Sequence, residues 1–228
     1  DDTLNADAAY RLACEGTAML WRGDFQNARQ LLQAIARRLA PKRSQHADSI
    51  LLDQALFARV DAVYRERDKL PLDIEQQRLL RETWREFKRG GADLDEAGRG
   101  RLRAINEELS LLGLQFGENV LKETNRYELV IEDESGLAGL PPALVQAAAE
   151  TAARRDKPGR WVFTLHRPSL IPFLQASTRR DLREQLYRAY LAMGSNGDEL
   201  DNRNVLKRTV QLRLERARLL GFPSHAHY

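Results

Sequence analysis

Cysteine is almost absent from this sequence, since Cys14 is the only one among 228 residues. An internal disulfide is therefore excluded. No apolar run approaches the roughly 18 residues that a membrane-spanning helix needs, so no membrane partner is expected. The first residues are acidic and polar and lack the basic-then-apolar pattern of an export signal. We expect a cytoplasmic location, and a periplasmic one stays open because such a signal could already have been removed.

A strong charge of one sign is also missing, because 36 Lys and Arg residues are balanced by 33 Asp and Glu residues. Acidic and basic residues alternate, as in RETWREFKR and LRLERARLL. Such interspersed charges are typical of solvated helix faces with ion pairs and not of a phosphate-binding stripe. Nucleic-acid binding is therefore not expected, and a basic nucleic-acid binder is only a third alternative.

Motifs that carry chemistry are missing as well. The sequence has no His-Glu-x-x-His, no Cys-x-x-Cys, no P-loop and no Gly-x-Ser-x-Gly. Its histidines are His46, His166, His225 and His227. The last two would point about 200° apart on a helix, so only an extended or turn conformation could direct both at one ion. We therefore predict no catalytic residue and no metal ligand in this chain, and the residues alone identify no substrate-binding position.

Helical patterning accounts for most of what is present. Apolar residues recur at every third or fourth position, which is the spacing of one helix face. The predicted helices cover residues 6–39, with a break at Gly23-Asp24, and then about 51–64, 73–89, 95–121, 142–154, 178–191 and 201–220. The predicted N-caps are Asp24, Asp53, Asp73, Thr178 and either Asp201 or Asn202, and the predicted helix ends are at Pro41, Gly90-Gly91 and Gly221.

Two further patterns bear on packing. The predicted core side chains include Trp21 and Phe25, then Leu79, Leu80, Thr83, Trp84 and Phe87, and later Leu182, Leu186, Tyr187, Tyr190 and Leu191. Gly113 and Gly117 favour a close helix crossing or a kink. Alternation of apolar and polar residues predicts short strands at 127–131 and 161–165. The predicted fold class is therefore mainly α, a multi-helix domain with a small two-stranded β element that must pack on helices.

Several segments carry a family resemblance through their joint order and spacing. They are RRDLREQLYRAY at 179–190, Asp201-Asn202, LRLERARLLGF at 212–222 and the final Ala226-His227-Tyr228, with weaker likeness at 51–64, 115–125, 136–141 and 160–165. Together they resemble the thimet-oligopeptidase-like family of zinc metallopeptidases, most closely its bacterial dipeptidyl carboxypeptidases. The resemblance covers roughly residues 39–228, whereas residues 1–38 match poorly.

The resemblance implies a nearly all-helical peptidase in which a His-Glu-x-x-His helix and a further Glu hold zinc. None of those residues can be carried over, because the family motif lies downstream of Tyr228. We therefore expect residues 39–228 to be the N-terminal helical portion of such a fold, and residues 1–38 to be a helical N-terminal segment of uncertain relation to it. Zinc is implied for the full-length parent and not for this chain.

The expected function is to form channel wall in a peptidase that hydrolyses short peptides and releases C-terminal dipeptides. This chain alone is expected to be inactive. Self-association through exposed cleft surface is a further expectation, because a cleft wall exposes apolar side chains. The alternative of a different class is a helical protein-interaction module with no enzymatic parent.

Overall fold

The chain folds into helices and one small sheet over the residues that the computed structural model describes, 6–21 and 25–228. Over these residues the helices are α1 (Ala6–Trp21), α2 (Phe25–Leu51), α3 (Gln54–Arg65), α4 (Ile74–Arg89), α5 (Glu96–Arg126), α6 (Pro142–Ala153), α7 (Arg167–Ala176), α8 (Arg180–Leu191) and α9 (Arg203–Leu219). The strands are β1 (Leu129–Ile131) and β2 (Trp161–Phe163). The mainly α prediction with a two-stranded element is confirmed. The predicted cap Asp24 and the side chains of Trp21 and Phe25 lie outside the described part.

The described residues divide into two compact units. The first unit contains the described residues up to Leu114 together with Lys207–Tyr228, and the second contains Gln115–Leu206. Helices α5 and α9 each contribute to both units. The division predicted from the sequence between residues 38 and 39 falls within α2. It stays a prediction.

Helix α2 runs through the proline that was predicted to lie beyond its end, so that prediction is wrong. Pro41 lies inside the 27-residue helix. An interior proline removes one helical hydrogen bond, but contacts on both sides of it favour continuation. Ile35 is buried on one side, and on the other the buried Asp48 accepts a hydrogen bond of 2.8 Å from Nδ2 of Asn106.

Helices α3 and α4 begin as their sequence predicts. The carboxylate of Asp53 accepts from the backbone N of Leu56 at 2.9 Å. Asp73 accepts from the backbone N of Gln76 at 2.8 Å, and the Gln76 side chain accepts in return from the backbone N of Asp73 at 3.1 Å. These bonds satisfy amide groups that the first helical turn leaves without partners. The predicted caps Asp53 and Asp73 are confirmed.

One predicted core residue of α4 points to solvent. Phe87 is buried and Trp84 stacks on Tyr64 with ring centroids 4.3 Å apart. Leu79, by contrast, is 69% exposed, so its assignment to the core is wrong. Successive residues of a helix are rotated by about 100°, and Leu79 therefore lies outside the stripe formed by Leu80, Trp84 and Phe87.

The core of the second unit is built on the two strands. Strands β1 and β2 pair antiparallel, with Leu129 opposite Phe163 and Ile131 opposite Trp161. The buried cluster comes from both strands, from α6, α7 and α8, and from the segment between β2 and α7, and it contains Leu129, Ile131, Ala148, Phe163, Leu165, Leu170, Phe173 and Leu186. The Phe163 and Phe173 rings lie 4.6 Å apart between centroids. The prediction that the strands pack on helices is therefore confirmed.

Thr178 does not cap α8, contrary to prediction. Its backbone N and its Oγ1 both donate to the carbonyl of Ala138, at 2.9 and 3.1 Å. The hydroxyl therefore anchors the turn at Ala138 and Gly139, and α8 begins two residues later, at Arg180. Helix α7 was not predicted from the sequence, and it begins with a proline in its first turn, a position where proline is well tolerated.

The close helix crossing predicted at two glycines of α5 is also wrong. A Cβ added at Gly113 or Gly117 would meet no atom of the described chain within 4 Å. The 31-residue helix passes through both positions. Further along, α9 is joined to α5 within the first unit by Arg208, whose Nε and Nη2 contact the Glu108 carboxylate at 2.5 and 2.7 Å. This ion pair lowers the pKa of Glu108.

Candidate functional site

The histidines do not converge on one another. His46 is exposed on α2, and His166 precedes α7, where its Nε2 lies 3.1 Å from Oδ1 of Asn125. His225 and His227 fall in a turn after α9, which is the geometry that could direct both rings at one ion. They have different neighbours, however, because His227 Nδ1 is 2.7 Å from the Ser224 hydroxyl while the His225 ring lies near that of Tyr228.

The residues present do not fit a zinc centre. Over residues 6–21 and 25–228, no group of three or more His, Cys, Asp or Glu side chains could hold a metal ion. A catalytic zinc needs three protein ligands and an open position. No step through zinc is therefore assigned to this chain, and the absence of catalytic residues and metal ligands from it stays a prediction.

A concave surface lies in the second unit, on α7 and α8. It is a groove of about 560 Å³, which we call the arginine groove. Its lining comes from Leu174 on α7 and from Arg180, Arg183, Glu184, Tyr187, Arg188 and Leu191 on α8. The α8 residues recur at three- to four-residue intervals, so they share one face of the helix. The opposite face carries Leu186, which is fully buried in the core of the second unit.

The arginine groove contains positive charge that no carboxylate of the described chain neutralises. Its single carboxylate, Glu184, accepts from Nε of Arg188 at 2.7 Å and neutralises that arginine. Arg180 and Arg183 have no acidic partner among the described residues. The Nε of Arg183 is buried and lacks any hydrogen-bond partner there. Two guanidinium groups are thus available to an anion.

Apolar side chains flank these two arginines. Tyr187 is 50% exposed and Leu191 is 61% exposed, and both line the groove beside Leu174. The sequence assigned Tyr187 and Leu191 to the predicted core, and the structure shows that this is wrong. The spacing of Arg180, Arg183 and Tyr187 could have revealed the second face of α8, because side chains at such intervals lie side by side.

The loop between α8 and α9 is fixed to α5 by buried polar groups. Glu123 is buried, and its carboxylate accepts from the backbone N of Gly194 at 2.6 Å and from the side-chain amide of Asn196. The side chain of Asn119 donates to Oδ1 of Asn202 at 3.0 Å. Buried polar groups are tolerated when they are all hydrogen-bonded. These bonds therefore give the end of α8 and the start of α9 a defined geometry.

A smaller polar cavity lies in the first unit. It has a volume of about 420 Å³ and contains Asp48, Asn106, Arg216 and Tyr228. Burial raises the pKa of the Asp48 carboxyl, against the opposing hydrogen bond from Asn106. The Arg216 guanidinium lies 5.2 Å from the centre of the Tyr228 ring. Asn106 donates to Asp48 at 2.8 Å and accepts from Nη1 of Arg216 at 3.4 Å, so it links α2, α5 and α9, which indicates a structural role.

The comparisons with known proteins show what this chain is similar to. Residues 173–228 match the peptidase family M3. A dipeptidyl carboxypeptidase of Salmonella typhimurium is 35% identical over 195 residues, which is 86% of this chain and 29% of that protein. Over these residues the chain is similar to peptidases of family M3. Organellar oligopeptidase A of Arabidopsis thaliana is 32% identical over 201 residues, covering 86% of this chain and 25% of its own length.

The chain spans less than a third of the length of each of these relatives. Oligopeptidase A of Haemophilus influenzae is 33% identical over 204 residues, which is 88% of this chain and 30% of that protein. Identities of 32 to 35% do not separate the dipeptidyl carboxypeptidases from the oligopeptidases. The arginine groove, residues 174–191, lies within the part that matches the family. No helix in the described ranges is long and apolar enough to cross a membrane.

Proposed function

We propose that this chain is the N-terminal helical part of a zinc metallopeptidase that hydrolyses short peptides. The observation that carries the proposal is the 35% identity over 195 residues with a dipeptidyl carboxypeptidase. In such an enzyme zinc supplies a Lewis acid and an activated water for attack on the peptide carbonyl. The ligands would come from a His-Glu-x-x-His helix that these 228 residues do not contain.

The part of this chain in that enzyme is to form a wall of the substrate channel. Its helices carry apolar and cationic side chains on exposed faces, as α8 does at Tyr187 and Arg180. A wall of rigid helices restricts entry to short, flexible peptides. Release of C-terminal dipeptides is the more specific form of the proposal, and it rests on the relatives named dipeptidyl carboxypeptidase.

The experiment is a cleavage assay on a longer protein that contains these residues and a His-Glu-x-x-His motif. A hexapeptide that is blocked at its N-terminus is incubated with that protein, and its products are measured by mass spectrometry with and without a zinc chelator. We expect chelator-sensitive loss of a dipeptide from the carboxyl end. Cleavage inside the peptide with no terminal dipeptide would favour an oligopeptidase, and the absence of cleavage would contradict the proposal.

A helical interaction module is the second candidate, and one observation favours it. Helices α3 and α4 form an open apolar groove of about 460 Å³ that includes Val63 and Leu79, which are 48% and 69% exposed. Exposed apolar surface of this kind also supports self-association. Light scattering across a concentration series tests self-association. A mass of 26.1 kDa at all concentrations would contradict it.

A further inference from the structure

We infer that the arginine groove binds the C-terminal end of a peptide, with Arg180 and Arg183 holding its carboxylate. This inference rests on the proposed function, because it names the part of the substrate that this chain would recognise. The groove is formed by one helix face and one residue of α7, so its geometry is set by the packing of α7 and α8 within one unit.

The first argument is the balance of charge in the groove. Three arginines and one glutamate line it, and the pairing of Glu184 with Arg188 leaves Arg180 and Arg183 as an uncompensated pair. The buried Nε of Arg183 has no hydrogen-bond partner among the described residues, so the chain itself does not satisfy this guanidinium group. Planar guanidinium groups match the two oxygens of a carboxylate, which is ionised at neutral pH.

The second argument is the apolar flank. Leu174, Tyr187 and Leu191 line the groove around the two arginines, and two of them are at least half exposed. A ligand that is only an anion, such as inorganic phosphate, would leave these side chains in water. A peptide end brings an apolar side chain within a few ångströms of its carboxylate. The juxtaposition of Arg180, Arg183 and Leu191 therefore favours a peptide end.

The third argument is size. A volume of about 560 Å³ lies within the range of small-ligand sites and is enough for the last two residues of a peptide. Tyr187 and Leu191 of the groove are exposed, so the rest of the peptide can continue into solvent. Nucleic acid is a poorer fit, because the charges along this chain are interspersed and amount to a net charge of only +3.

The test is a binding titration with the 228-residue chain and no added metal. The probe is a pentapeptide that carries a fluorophore at its N-terminus and ends in Phe-Leu, and its anisotropy is measured for the free acid and for the C-terminal amide. We expect the acid to bind about tenfold more tightly than the amide, since one charge-assisted contact has an effect of about this size. Replacing Phe-Leu by Gly-Gly is expected to weaken binding severalfold.

The variant that tests the two arginines is Arg180→Gln with Arg183→Gln. It should remove the difference between acid and amide, while Arg180→Lys with Arg183→Lys should keep part of it, because lysine retains the charge without the planar fork. The matched control is Arg78→Gln with Arg213→Gln, which removes two exposed arginines of the first unit and should keep the full difference. Circular dichroism checks folding, and Arg180→Gln alone changes only an exposed side chain.

Four results would overturn the inference. These are equal binding of acid and amide, a difference that persists in a folded Arg180→Gln and Arg183→Gln variant, no saturable binding at about 1 mM peptide, and phosphate binding as tight as the acid peptide. A longer protein that cleaves peptides while this chain shows no such discrimination would overturn the inference and keep the proposed function. If this chain binds the acid more tightly than the amide while the longer protein cleaves no peptide, the proposed function is contradicted and the inference is kept.

Discussion

The backbone N–H of Gly194 donates to the carboxylate of Glu123 over 2.6 Å, and both residues are buried. The same carboxylate accepts from the side-chain amide of Asn196, so one α5 side chain holds two points of the loop before α9. Hydrogen bonds to an ionised acceptor are stronger than neutral ones. This contact therefore fixes the loop that follows the groove-bearing helix α8.

Replacing Glu123 by alanine should destabilise the chain strongly. The change leaves the buried Gly194 N–H without an acceptor and opens a cavity, which together cost about 2–4 kcal/mol. Glu123→Gln retains one acceptor oxygen and should cost about half as much. The free energy of unfolding is measured by urea titration, followed by circular dichroism.

The matched control is Glu199→Ala in the same loop. The Glu199 side chain is 74% exposed and contacts Arg126 at 2.8 Å. Exposed ion pairs contribute between zero and about 1 kcal/mol, so this change should be nearly neutral. Equal effects of Glu123→Ala and Glu199→Ala would show that the buried contact does not hold the loop.

The turn before α6 should tolerate no side chain at Gly139. Its φ is +84°, and a Cβ there would lie 2.5 Å from the carbonyl oxygen of Ala176. Gly139→Ala combines left-handed strain with a backbone clash and should cost about 3 kcal/mol or more. Thermal unfolding followed by circular dichroism gives the difference.

Substitution of Gly159 measures the backbone strain without a steric clash. Its φ is +80°, and a Cβ there would meet nothing within 4 Å. Gly159→Ala should therefore show the conformational cost alone, about 1–2 kcal/mol. If both alanine variants lose the same stability, the close approach of Gly139 to Ala176 is not as described.

Asp48→Asn should stabilise the chain at neutral pH. Burial raises the pKa of the Asp48 carboxyl in the folded state, so folding favours its protonated form. The resulting penalty is present above the folded-state pKa and disappears as the pH falls to the unfolded value near 3.9. The substituted side chain carries no charge. The difference in the free energy of unfolding between the variant and the native chain should therefore shrink over the same pH range. Urea unfolding of both proteins at a series of pH values measures this.

Asp48→Ala is the contrasting change at the same position. It removes the acceptor of the 2.8 Å hydrogen bond from Asn106 and should cost about 1–3 kcal/mol at pH 7. Stability of Asp48→Asn below that of the native chain at pH 7 would contradict the assigned effect of burial.

Local rules predicted the caps, the strands and the fold class. The Asp53 and Asp73 caps follow from side-chain chemistry within a few residues, and strands β1 and β2 follow from period-two alternation. The errors arose where tertiary contacts overrode a local signal. Pro41 lies inside α2 because both halves of the helix pack, and Thr178 binds Ala138 instead of capping α8.

The arginine groove was the harder feature to predict. Adjacent residues of α8 lie on different faces, so Leu186 is buried while Tyr187 is exposed, and the pattern treated both as core. The absence of acidic partners for Arg180 and Arg183 depends on which side chains lie nearby in space. A single sequence does not contain that information, because Asp181, next to Arg180, pairs with Arg179, and Glu184, next to Arg183, pairs with Arg188.

The most direct test of the central claim is peptide cleavage measured by mass spectrometry with the pure 228-residue chain. A blocked hexapeptide is incubated with the chain and zinc, beside a longer family M3 protein that contains these residues and the zinc motif. We predict that the chain alone leaves the peptide intact, while the longer protein releases a C-terminal dipeptide in a chelator-sensitive reaction. Zinc-dependent cleavage by the 228 residues alone, or none by the longer protein, would contradict the account.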